Sequence, residues 1–67
     1  MKIIFYQPVT DETDPIVSDR YHSLGWGLDT VFGSMDRIVA RSFIWCSDKP
    51  YELPDVSDLG LPAPHRL

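Results

Sequence analysis

The side chains with intrinsic reactivity in this chain are Cys46, His22 and His65. A thiol beside an imidazole is the arrangement of a nucleophile and its base. Their spacing gives no reason to bring them together. Cys46 follows Phe43-Ile44-Trp45, the most apolar run of its block. A cysteine in that setting reads as a buried, inert hydrophobe. The same three residues are a poor zinc set, because recognisable zinc sites carry ligands in closely spaced pairs and here each stands alone. Asp11-Glu12-Thr13-Asp14 lacks the glycine and the closing glutamate of a calcium loop. Gly25-Trp26-Gly27 lacks the lysine and further glycines of a phosphate loop. The expectation is therefore a non-enzymatic protein without catalytic residues, metal or cofactor. A cysteine-dependent enzyme centred on Cys46 is the weaker alternative.

Charge is the next source of function. The net charge is −4, and eight of the ten acids lie in two flanks. Asp11, Glu12, Asp14 and Asp19 precede the central block, and Asp48, Glu52, Asp55 and Asp58 follow it. Arg20, Arg37 and Arg41 lie between them, close in sequence to Asp29 and Asp36. Nucleic-acid binding needs a basic face, so direct contact with DNA or RNA is not expected. An acidic surface fits a basic partner, or serves solubility alone. Within the second flank, Tyr51-Glu52-Leu53-Pro54-Asp55 alternates acidic and apolar residues on a proline-stiffened frame, a form that loses little entropy on binding. The candidate partner-binding residues are Asp11, Glu12, Asp14, Tyr51, Glu52, Leu53, Asp55 and Asp58. The expected partner is a larger protein with a basic, nucleic-acid-binding surface, which this chain would occupy as a phage- or mobile-element-type inhibitor. The alternative is a structural subunit of a larger assembly. No membrane contact is expected, the compartment reads as cytoplasmic, and self-association would help so small a domain.

Those residues need a scaffold, and 67 residues allow one domain at most. A chain of this size buries only about 60% of its unfolded surface, and its single cysteine excludes an internal disulfide. The core must come from Ile3-Ile4-Phe5-Tyr6 and from the block Tyr21–Cys46, with Trp26 and Trp45 in one cluster. Residues 2–7 read as a strand buried on both faces. Thr10 to Asp19 reads as an acidic loop, with Ser18 a possible helix N-cap. Residues 28–46 are ambiguous. Val31, Phe32, Met35, Ile38 and Val39 share a face at helical spacing, whereas Ile38, Val39, Phe43, Ile44 and Trp45 favour a strand. The reading that serves both is a helix within 28–37 and a strand over 38–46. Four of the six prolines fall in the last 19 residues, which forbids a continuous helix or central strand there. The fold class is α+β: a strand at about 2–7 paired with one at about 38–46, covered by one helix. A mostly helical unit with one strand is the alternative. Residues 1–49 form the compact part, and 50–67 an extended acidic tail packed on the domain or on a partner.

Overall fold

A computed structural model describes residues 2–67. It is α+β, with one helix against a four-stranded antiparallel sheet. Strand β1, Ile3–Pro8, lies antiparallel to β3, Arg37–Trp45, with Phe5 opposite Phe43 and Ile3 opposite Trp45. This is the pairing the two apolar runs require, since each needs a neighbour for its backbone groups. Strand β2, Gly27–Ser34, pairs with the other side of β3, and β4, His65–Arg66, with the other side of β1. The order across the sheet is β2-β3-β1-β4.

The helix lies elsewhere than the sequence reading puts it. Helix α1 spans Asp14–Ser23, within and beyond the stretch expected as a loop. The helix-start signals are present: proline in the first turn, where its missing N–H costs nothing, and acid at the N-terminus. Just upstream, Thr10 and Thr13 each donate a backbone N–H to the other's hydroxyl, the reciprocity of a capping box. Ser18 is not a cap. It sits in mid-helix, its hydroxyl buried and unpartnered among the described residues. The helix buries Asp14, Val17 and Tyr21, a narrow stripe at i, i+3 and i+7. It stops at Gly25, whose φ of 97° is left-handed and whose N–H reaches the His22 carbonyl.

Residues 28–37, expected as helix, are instead most of β2, the turn of the β2–β3 hairpin and the first residue of β3. Two features fix this. At Gly33, φ is 151°, and an added Cβ would lie 2.1 Å from the Arg37 carbonyl oxygen, so only glycine closes the hairpin there. Asp29 lies at a bulge where the register shifts between Leu28 and Thr30, and its carboxylate accepts the Ser42 hydroxyl. The helical spacing of Val31, Phe32, Met35, Ile38 and Val39 is therefore coincidental. Met35 is fully exposed in the turn.

Phe5, Val9, Val17, Tyr21, Trp26, Phe43, Trp45 and Val56 form one buried cluster. Tyr21 stacks on Phe43 at 3.8 Å between ring centroids, joining helix to sheet. Trp26 and Trp45 meet at 5.4 Å, in the common core expected of them. Residues 49–67 run along this core. The Trp45 indole donates to the Lys49 carbonyl and the Trp26 indole to the Glu52 carbonyl. The Tyr51 ring rests on Phe5 and Trp26, and Val56 is buried. A short 3-10 turn, Ser57–Leu59, precedes the return to β4.

The side-chain amide of Gln7, fully buried, links all three parts. It accepts from the Tyr21 hydroxyl and donates to the carbonyls of Pro8 and Pro62. Burial pushes the Tyr21 phenol above its usual range, so it stays neutral and donates at any ordinary pH. Removing the hydroxyl leaves a buried acceptor unpaired, at about 1–3 kcal/mol, whereas emptying an indole site costs about 3–5. Urea denaturation should find Tyr21→Phe folded with a lowered midpoint, and Trp45→Ala largely unfolded before denaturant is added.

Candidate partner-binding site

The eight candidate residues fall into two groups held by different anchors. Asp11 and Glu12 lie between β1 and α1, and Asp14 opens α1, with Asp11 and Asp14 bonded to β3. The Asp14 carboxylate, itself buried, forms a two-point ion pair with Arg41. An aspartate so engaged is part of the scaffold, because removing one partner strands the other's charge. Asp11 accepts the Ile38 backbone N–H through Oδ1 at 2.7 Å. Its other carboxylate oxygen and the whole Glu12 carboxylate are without a partner among the described residues. Both residues are exposed.

Tyr51, Glu52, Leu53, Asp55 and Asp58 lie on the tail. Tyr51 and Leu53 are each a little over one-third exposed, so the apolar half of the motif is shared between its own core and solvent. Glu52 contributes its carbonyl to Trp26 and leaves its side chain exposed. Asp55 accepts the hydroxyl and backbone N–H of Ser57 and so shapes the 3-10 turn. Asp58 takes two hydrogen bonds from the Arg20 guanidinium, at 2.7 and 2.8 Å. Arg20 also donates to the Asp55 carbonyl. Of the three arginines between the acidic flanks, Arg20 and Arg41 thus clasp acids of this same chain. The third, Arg37, is exposed in the hairpin turn region and forms no ion pair among the described residues.

The first group gains something that its sequence does not announce. Val9, Ile38 and Val39 pack beside Thr10, Asp11, Glu12 and Arg37 around a cleft of about 290 Å³. Apolar side chains and two carboxylates share its lining with Thr10 and Arg37. That chemistry suits a lysine or arginine side chain, whose methylene stem prefers apolar contact while its head seeks carboxylate. Val9, Ile38 and Val39 are missing from the sequence-based candidates. They meet because the end of β1 is paired with the start of β3, seen in the Val9 N–H to Val39 carbonyl bond. A valine following a strand-ending proline carries no separate signal of it.

The reactive side chains stay apart. Cys46 is exposed, not buried as its apolar neighbours imply. Strand β3 ends at Trp45, and the alternation that turns Trp45 inward leaves the following residue at the surface. Neither imidazole forms a hydrogen bond with it among the described residues. The His65 ring packs tilted against Tyr6, 4.9 Å between ring centroids, and His22 is exposed at the end of α1. Among the described residues, no three His, Cys, Asp or Glu side chains come together as a metal site. No described helix is long and apolar enough to cross a membrane. The chain matches no protein-family profile, no curated protein and no solved structure.

Two outcomes follow from this arrangement. Thiol labelling of native Cys46 should proceed at nearly the rate seen in denaturant, which a buried thiol would not do. Hydrogen bonds from Arg20 hold the Asp58 carboxyl below its ordinary range, and those from Ser57 do the same for Asp55. A carboxyl depressed in the folded state stabilises above its unfolded value, about 4, and that contribution is lost as pH falls through the folded value. The midpoint of denaturation should therefore drop below about pH 4, and Asp58→Asn should flatten that part of the profile.

Proposed function

We propose that the protein is a non-enzymatic interaction protein of the cytoplasm that binds a basic, nucleic-acid-binding surface of a larger protein. A phage- or mobile-element-type inhibitor would act in this way, by occupying the surface that nucleic acid needs. The observation that supports this best is the cleft at Asp11 and Glu12. It brings apolar side chains together with carboxylates that form no ion pair among the described residues, which is what a protruding lysine or arginine can use. The remaining candidates divide by role. Asp14 and Asp58 hold the scaffold, Asp55 shapes the tail, and Glu52 with Tyr51 and Leu53 offers a second patch at the side of the core. The net charge of −4 would steer the encounter from a distance.

A subunit of a larger assembly is the second reading, favoured by apolar side chains that the fold leaves uncovered at Leu28, Val31 and Val39. Salt separates the two. Charge-steered binding weakens as salt screens the field, whereas apolar assembly does not.

The test is affinity capture of the tagged protein from its host, followed by binding kinetics with the purified partner. Asp11→Lys together with Glu12→Lys should slow association about tenfold or more, and raising salt from about 50 to 500 mM should do the same. Arg37→Glu, at the same cleft but of opposite sign, should leave association unchanged or faster. Salt-insensitive binding that survives the double reversal would assign the acids to solubility alone.

A further inference from the structure

We propose that β2 is a dimerisation edge, pairing antiparallel with β2 of a second copy about a two-fold axis through Val31. This goes beyond the proposed function and uses none of the residues assigned there to the basic partner; Leu28 and Val31 are the uncovered side chains it draws on. Strand β2 is at one end of the sheet order, and seven of its eight residues are exposed. It holds neither proline nor lysine, two usual means of blocking an edge. The opposite edge is different. There β1 is covered by β4, and the tail continues past it with the Leu67 N–H on the Ile4 carbonyl. The outer strand there, β4, is two residues long, too short to template a further strand, so pairing β2 with β2 closes the assembly at two copies.

The bulges set the register. Shifts between Leu28 and Thr30 and between Phe32 and Gly33 confine regular strand to Thr30-Val31-Phe32. The Thr30 N–H points towards β3, where it donates to the Ser42 hydroxyl. Alternation then aims the Val31 N–H and carbonyl at the free edge. Centred on Val31, the two copies exchange both Val31 hydrogen bonds, and the two valines lie side by side. Val31 is 50% exposed and Leu28 59%, so both have surface left to bury.

Charge selects a second copy over the basic partner. The single charge on β2 is Asp29, already engaged by Ser42. A basic surface finds nothing to pair with there. In the proposed register Asp29 faces Gly33 of the other copy, and the two carboxylates sit roughly 13 Å apart along the strand, beyond the screening length of about 8 Å at physiological salt. Three regular residues make a small interface, below the ~1,200 Å² of stable complexes, so the dimer is weak, on the order of 0.1 mM. Each copy carries −4, so association tightens as salt rises, the opposite of the response expected for the partner.

Sedimentation velocity from about 10 µM to 1 mM, at low and high salt, should show monomer giving way to dimer and no larger species. Val31→Lys places two like charges on the axis and should weaken the dimer about tenfold or more, with the circular dichroism of the monomer unchanged. In the wild-type protein, hydrogen exchange at the Val31 amide should slow with concentration while that at Thr30 stays constant. A monomer throughout this range, a dimer indifferent to Val31→Lys, or growth beyond two copies would overturn the proposal. So would a Val31 amide protected only after a basic partner is added, which would assign the edge to that partner's strand.

Discussion

The architecture depends on one buried amide. Gln7 sits in the middle of the sheet with its side chain out of contact with water, where an unpaired amide would cost several kcal/mol. Its partners come from three parts of the chain: Tyr21 of the helix, Pro62 of the tail and its own neighbour Pro8. Helix, sheet and tail must therefore arrive together for the core to be satisfied. The indoles repeat the logic. Trp26 and Trp45 can be buried because tail carbonyls, at Glu52 and Lys49, receive their N–H groups. A chain with so small a core uses its tail as the missing side of that core.

That dependence divides the charges. Acids near the arginines of the folded chain are absorbed into it: Asp14 by Arg41 and Asp58 by Arg20. Acids in the turn beside the hairpin, Asp11 and Glu12, keep carboxylate oxygens facing solvent beside apolar side chains. The surface that offers chemistry to a partner is thus smaller than the count of acids implies. It lies where β1 hands over to α1 rather than along the whole of both flanks.

The sheet pairing and the common core of the tryptophans were legible in the sequence, because Ile3–Tyr6 and Ile38–Trp45 are the two runs of β-branched and aromatic residues. The helix was misplaced for an identifiable reason. Thr10 through Pro15 carries capping and first-turn signals, yet its acids and proline also read as a turn, and the apolar stripe that follows is only Val17 and Tyr21. The 28–37 stretch shows the reverse error, since apolar residues at helical spacing belong to a hairpin set by Gly33 and by a bulge at Asp29. Cys46 illustrates a third limit. Its apolar neighbours are real, but one residue of phase in a strand decides inside from outside. The cleft at Asp11 and Glu12 was half visible: the carboxylates by type, the valines not at all, because strand register brings them there.

The central claim is that tail, helix and sheet are one cooperative unit. The indole N–H groups of Trp26 and Trp45 report on it directly, since both are closed by the tail. Native-state hydrogen exchange followed by NMR should give both indoles the same opening free energy as the slowest amides of β1 and β3, the value for global unfolding. Indoles that exchange far faster than those strand amides, through an opening that leaves the sheet protected, would show the tail to be a separable cover and would contradict the account.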